Sequence, residues 1–136
     1  TALVHAMLNN KMNLLITGDM AFFYDRNAFW HQYKVPNLKI VILNNHGGGI
    51  FRLIDGPKEQ PELEELFVTQ QPLSAANTCK DFNMKYLHCS KKKDLKAKLN
   101  ALFQPNDHIS LLEIEFSNNL TEIYQELKAS LSKNHV

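Results

Sequence analysis

The sequence predicts an α/β fold: a doubly wound parallel sheet with helices on both faces, formed by one domain over residues 1–136. Three observations carry that prediction. Helix-like and strand-like patterns alternate from one end of the chain to the other, as they do when parallel strands are joined by crossover helices. The first strand candidate is a short, continuously apolar run, the pattern of a strand covered on both faces. The first two candidates, 14–17 and 38–43, each lead into a turn of polar residues and glycine, Gly18-Asp19-Met20 and Asn44-Asn45-His46-Gly47-Gly48-Gly49. In an open parallel sheet, ligands bind at the carboxyl ends of the strands, where these turns lie.

Ala2, Leu3, Val4, Ala6, Met7 and Leu8 read as the middle of a buried helix, closed by Asn9-Asn10-Lys11. Thr1 follows no methionine, and so apolar a start is expected of the C-terminal piece of a longer polypeptide, cut within or just before a helix. Residues 14–17 form the first strand. Residues 21–33 predict a helix with Phe22, Phe23, Phe29, Trp30 and Tyr33 spread over more than one face. Such a helix is buried on several sides, which points to contact with another domain or subunit. Val35-Pro36-Asn37 ends it, and 38–43 is the second strand.

The stretch 52–72 is the least regular. It holds Pro57, Pro61 and Pro72, and acidic residues between Glu59 and Glu65, with a short helix expected over 62–67. It reads equally as a lid or wall beside a site and as an ordinary surface excursion. Residues 74–82 predict a helix capped by Ser74, and 86–89 a third strand. The helix over 90–103 carries Leu95, Leu99 and Leu102 on one face. Its lysines Lys91, Lys92, Lys93, Lys96 and Lys98 read as a solvated outer face rather than an anion site. Residues 109–116 form the fourth strand. Glu113 and Glu115 alternate there with Leu112, Ile114 and Phe116, the pattern of a partly exposed edge. Leu120, Ile123, Tyr124, Leu127 and Leu131 then mark an amphipathic C-terminal helix, with Ser117-Asn118-Asn119 as cap candidates.

Composition excludes several classes. A formal charge of +1 leaves no basic footprint for nucleic acid. No apolar run reaches the roughly 20 residues of a transmembrane segment, and no signal-peptide pattern opens the chain. Cys79 and Cys89 form neither a disulfide framework nor a CxxC pair, so reduced structural thiols in a cytoplasmic protein are expected. The six histidines lack metal spacing such as HExxH; only His46 adjoins the paired turns, and a loop histidine more often packs or faces solvent. No GxSxG, GxGxxG or P-loop is present.

The paired turns carry the chemistry. The Asp19 carboxylate and an asparagine side-chain carbonyl at 44–45 are hard oxygen donors, suited to Mg²⁺, which is held by few protein ligands together with phosphate oxygens. The helix after Met20 offers free N–H groups and a positive dipole end to an anion, and amides of the glycine run add donors. The stretch therefore reads as a site for a metal diphosphate. The same residues have a plainer reading, with Gly18 and the glycine run as tight βα turns and Asp19 as an N-cap.

Gly18-Asp19 followed by Asn44-Asn45 resembles the signature of thiamine-diphosphate-dependent enzymes, Gly-Asp-Gly, a spacer, then Asn-Asn. The continuation Asn44-Asn45-His46-Gly47-Gly48-Gly49-Ile50-Phe51 looks like one branch, the 2-succinyl-5-enolpyruvyl-6-hydroxy-3-cyclohexene-1-carboxylate synthases of menaquinone biosynthesis. Two departures stand out. Met20 replaces the third glycine, and the spacer from 21 to 43 is toward the short end of the pattern. Neither removes a metal ligand.

The resemblance covers essentially the whole chain and implies the C-terminal, diphosphate-binding domain of a longer enzyme. It implies Mg²⁺ (or Mn²⁺ in its place) bound by Asp19, the Asn45 side chain and the Gly47 backbone carbonyl, with Asn44 bracing the loop. Gly18, Met20, Ala21, Gly48, Gly49 and Ile50 would line the cofactor, and Ile50, Phe51 and Ile54 would form an apolar substrate-pocket wall. It also implies a transferase, a carboligase that decarboxylates 2-oxoglutarate and adds the succinyl-semialdehyde unit to isochorismate. The N-terminal pyrimidine-binding domain, with its activating glutamate, and a central domain would be supplied from outside this stretch, within a homodimer or homotetramer. No catalytic residue falls inside it, so the piece alone is expected to be inactive. The runner-up within the family is an acetolactate synthase or 2-oxoacid decarboxylase. From a different class, a non-catalytic α/β module could hold another phosphate ligand, such as a flavin nucleotide, in the same crevice without needing a metal.

Overall fold

The computed structural model describes residues 2–31 and 33–116. The C-terminal amphipathic helix expected from Leu120 to Leu131 lies outside the described residues. The chain divides into two compact units, one made of the residues up to Asn44 together with 72–116, the other containing 45–71. Among the described residues no helix is long and apolar enough to cross a membrane.

The first unit is a four-stranded, fully parallel sheet in the order β1-β2-β4-β3. Its strands are β1 (Asn13–Gly18), β2 (Leu38–Asn44), β3 (Lys85–Cys89) and β4 (Ser110–Glu115). Its helices are α1 (Ala2–Met7), α2 (Asp19–Asp25), α3 (Ala75–Asp81) and α4 (Leu95–Leu102). Alternate residues of each strand face opposite sides, and each side has its own core. On one, Leu38, Ile40, Ile42 and Leu111 pack with Ala6, Phe22, Ala75 and Cys79, so α1, α2 and α3 share that face. On the other, Val41, Leu112 and Cys89 pack with Leu102, Leu95 and Leu99 of α4. Burying one such leucine or isoleucine contributes about 1.5–3 kcal/mol. The steps β1 to β2 and β2 to β3 run one way along the sheet, and β3 to β4 runs back. Right-handed crossovers then put α4 on the face opposite α2 and α3. The doubly wound reading is thus the observed architecture.

Several local expectations are corrected. The helix expected over 21–33 is one α-helical segment followed by a 3-10 turn, Arg26–Phe29. Its aromatics do not all go inside: Phe22 and Phe29 are buried, whereas Trp30 is 87% exposed. Helix α1 is short and buries only Ala6. Strand β1, expected to be covered on both faces, alternates half-buried with exposed residues, and among the described residues it pairs with β2 alone. Strand β4, expected at a partly exposed edge, lies between β2 and β3 with Glu113 fully buried. Local alternation could not show that its glutamate has internal partners. The cap at Ser74 is as expected, its Oγ accepting from Ala76 N at 3.2 Å. The thiols of Cys79 and Cys89 are free and buried.

The second unit is a chain of turns. A 3-10 turn spans Gly49–Arg52, another Pro57–Glu59, and a single π-helical segment Leu63–Val68 replaces the short helix expected over 62–67. Arg52 donates to both carboxylate oxygens of Glu64 at 2.8 and 2.6 Å, and Lys58 pairs with Asp55.

Candidate functional site

Strands β1 and β2 finish side by side, with Gly18 opposite Leu43 in the parallel register. Strand β1 passes into α2 without an intervening loop. Gly18 is the N-cap, in an ordinary extended conformation, and Asp19 is the first helical residue, only 2% exposed. The N-cap reading of Asp19 therefore does not hold; its carboxylate lies in the first turn, where the helix dipole favours a negative charge. A Cβ added at Gly18 would meet no described atom within 4 Å, so internal packing does not require glycine there. Met20 is half-buried and Ala21 exposed.

Asn44, the last residue of β2, is 1% exposed. Its side-chain amide donates to Leu73 O at 3.1 Å and Glu113 Oε1 at 2.7 Å, and its backbone carbonyl accepts from Phe116 N at 3.1 Å. Asn45, the next residue, is also buried.

Within the second unit the chain turns at once, with His46 at φ 61° and Gly47 at φ 154°. Gly48 N donates to Val68 O at 2.7 Å, Gln71 N donates to His46 O at 3.2 Å, and His46 Nδ1 donates back to Gln71 O at 3.2 Å. His46 thus has a packing role. A Cβ on Gly47 would lie 2.8 Å from Val68 O, and one on Gly48 2.9 Å from Phe51 Cδ2 and 3.0 Å from Phe67 O. The plain reading accounts for these two glycines: the loop lies too close to 67–68 for side chains. Gly49 N donates to Gly47 O at 2.9 Å, which leaves that carbonyl a second lone pair. Ile50 and Ile54 are exposed, while Phe51 packs edge-on against Phe67 with ring centroids 5.8 Å apart.

One functional candidate escaped the sequence reading. Both oxygens of Glu113 accept hydrogen bonds inside the sheet, from Asn44 Nδ2 (2.7 Å), Ser74 Oγ (2.8 Å), Tyr86 Oη (2.5 Å) and the Ala75 backbone N–H (3.2 and 3.1 Å). Burial, and then the bond to Glu113, push the Tyr86 phenol above its ordinary range. Burial, with a smaller contribution from Glu113, pushes the Cys79 thiol up to about 12. The available signal was an acidic residue directly after Ile109-Ser110-Leu111-Leu112, a stretch apolar but for one serine. Among the described residues no three His, Cys, Asp or Glu side chains gather as a metal cluster. A divalent ion held by the described residues would need amide or backbone oxygens beside at most two such side chains.

A doubly wound sheet whose neighbouring strands end in Gly-Asp and Asn-Asn turns belongs to a defined class. Residues 2–114 match the family described as "Thiamine pyrophosphate enzyme, C-terminal TPP binding domain", and the chain belongs to that family. Its curated relatives include three proteins named 2-succinyl-5-enolpyruvyl-6-hydroxy-3-cyclohexene-1-carboxylate synthase. The one from Cytophaga hutchinsonii is 44% identical over 100% of this chain and 24% of its own length. That from Flavobacterium johnsoniae is 36% identical over 93% of this chain and 24% of its own. That from Microcystis aeruginosa is 38% identical over 77% and 18%. The chain thus spans about a quarter or less of the curated relatives it matches.

Proposed function

We propose that this chain supplies the metal-diphosphate end of a thiamine diphosphate site in a menaquinone-pathway carboligase. The enzyme would decarboxylate 2-oxoglutarate and transfer the four-carbon unit to isochorismate. The observation that carries the reading is Gly18 opposite Leu43 at the ends of adjacent parallel strands, with Asp19 following the one and Asn44-Asn45 the other, joined to the names of the relatives.

The donor set fits the group. Asp19, the Asn45 side-chain carbonyl and the Gly47 carbonyl are all hard oxygens, as Mg²⁺ or Mn²⁺ requires. Gly18 carries no side chain although the fold leaves room for one, as expected where a ligand must approach the backbone. The backbone of Gly18, Met20, Ala21, Gly48 and Gly49 would meet the cofactor. Exposed Ile50 and Ile54, with Phe51, would give the reacting end an apolar wall. When bound, thiamine diphosphate supplies the nucleophilic carbon and accepts the electrons released by decarboxylation. The residues of this chain bind the metal, orient the diphosphate and exclude water. Activation of the cofactor ring is assigned to a pyrimidine-binding domain of a full-length homodimer or homotetramer.

Calorimetry on the full-length enzyme with Mg²⁺ present tests the metal pair. Asp19→Asn and Asn45→Ala should each weaken thiamine diphosphate binding by tenfold or more, in keeping with the loss of one ligand from a divalent site, roughly 1.4 kcal/mol or more. Wild-type affinity in both variants would reject the assignment. Product analysis with 2-oxoglutarate and isochorismate separates this activity from acetolactate synthesis or simple decarboxylation. Cofactor binding unaffected by chelation would instead favour a metal-free phosphate module.

A further inference from the structure

We infer that Glu113 is a positioning residue for the metal-binding loop, acting as a buried clasp on the two ends of the 45–71 excursion. This rests on the reading of Asn45 and Gly47 as metal ligands. The excursion departs after Asn44 and returns at Pro72. The Asn44 side chain bonds Leu73 O across that neck, at 3.1 Å. The same amide nitrogen is held by Glu113 Oε1 at 2.7 Å. The return side is held by the same carboxyl group, through Ser74 Oγ at 2.8 Å and Ala75 N at 3.1 Å. Tyr86 Oη, at 2.5 Å, fixes the carboxyl group from a third strand. Glu113 is 1% exposed and sits on the interior strand β4. One rigid side chain therefore pins the residue before Asn45 and the start of the helix that follows the excursion.

The chemistry explains why an acidic residue occupies an apolar strand. Every partner of Glu113 is a donor, and two of them, the Asn44 amide and the Ala75 N–H, cannot reverse. An apolar residue there would leave both without this acceptor, a cost borne only if the clasp matters. Ser74 and Tyr86 hydroxyls can reverse and accept. Glutamine at 113 can then keep its oxygen on Asn44 and Ala75 and turn its NH₂ toward the hydroxyls. Alanine can do neither.

The test uses the full-length enzyme with three variants, Glu113→Ala, Glu113→Gln and Asn44→Ala. The last keeps Glu113 on α3, so it remains informative if Glu113→Ala does not fold. Two readouts are taken: amide exchange at 46–49 and 71, and the Mg²⁺ concentration that half-saturates thiamine diphosphate binding. Glu113→Ala and Asn44→Ala should speed exchange in the loop more than in β2 and β4. They should raise the Mg²⁺ requirement about tenfold, the usual effect of losing a group that orients a metal ligand. Glu113→Gln should stay close to wild type in both. Faster exchange spread evenly over the sheet, or an unchanged Mg²⁺ requirement in both alanine variants, would overturn the clasp. Failure of the wild type itself to bind Mg²⁺ and thiamine diphosphate would instead remove the functional reading on which it rests.

Discussion

At the scale of single residues, the interior of the first unit holds groups that make its stability depend on alkaline pH. The Cys79 thiol is raised to about 12 by burial and by the nearby Glu113, against an ordinary value of 9.0. The Tyr86 phenol is raised too, by burial first. Below about pH 9 both states keep the thiol proton, and it contributes nothing to the pH dependence. Between 9 and about 12 the unfolded chain releases that proton while the folded one holds it, so the unfolded state gains and stability falls. Tyr86 acts in the same direction above its unfolded value of about 10. Lys39 opposes them: burial, then repulsion from Lys85, lowers its pKa, so below its unfolded value the folded state binds fewer protons and stability rises with pH until the unfolded form neutralises as well. Urea midpoints measured from pH 8 to 11 should fall with pH, and Cys79→Ala should flatten the slope. A slope unchanged by that substitution would show that Cys79 does not titrate as its surroundings dictate. That Gly18, Asp19 and Asn45 lie where β1 and β2 end was legible in the sequence because a turn motif is local. Glu113 was not, because whether a strand lies at an edge or inside a sheet is decided by residues far along the chain.

At the scale of elements, strands and caps were more legible than helix lengths. Strand β2 and the Ser74 cap are local chemistry, read from a run of apolar residues and one hydroxyl. Helix α2 was over-extended because aromatic content does not reveal where a chain tightens into a 3-10 turn; the aromatics of 29–33 continue an apolar pattern after the helix has ended. The glycines give a contrast that separates fold from function. Gly47 is required by packing: a Cβ would lie 2.8 Å from a backbone oxygen, at a φ that L residues rarely adopt. Gly47→Ala should destabilise the protein by about 1–3 kcal/mol through strain and displacement. Gly18→Ala meets nothing within 4 Å and should cost under about 1 kcal/mol, the difference between the two residues at an N-cap. On the proposed function it should nonetheless weaken thiamine diphosphate binding, because the added methyl group would occupy the approach to the diphosphate. Thermal denaturation beside calorimetry on each variant checks the pair. Equal stability losses with unaltered cofactor binding would return Gly18 to an ordinary turn residue.

At the scale of the whole molecule, the sheet leaves apolar surface for which the described residues offer no cover. Leu14 and Ile16 on β1 are 48% and 60% exposed, with Val4, Met7 and Leu8 of the preceding segment also open. Strand β1 has a free edge among the described residues, and such an edge with apolar side chains is a template for pairing with another chain. The sequence puts an exposed apolar surface around Phe22, Phe23 and Trp30; Trp30 is open, as are Tyr24 and Tyr33, whereas Phe22 is buried and Phe23 half-buried. Relatives about four times as long have further chain that could supply the cover and the remaining cofactor contacts. The 136-residue chain, purified alone, should therefore self-associate as its concentration rises. Ile16→Lys should reduce that association by placing a charge on the open face. Mixed with Mg²⁺, thiamine diphosphate, 2-oxoglutarate and isochorismate, it should form no carboligation product, since each absent acid–base group typically lowers rate by about 10²–10⁴. Sedimentation velocity and a product assay check the two halves. A monomer at every concentration would mean that the β1 face is covered within this chain. Product formed at an ordinary enzymatic rate would mean that the site is complete within it and needs no further domain.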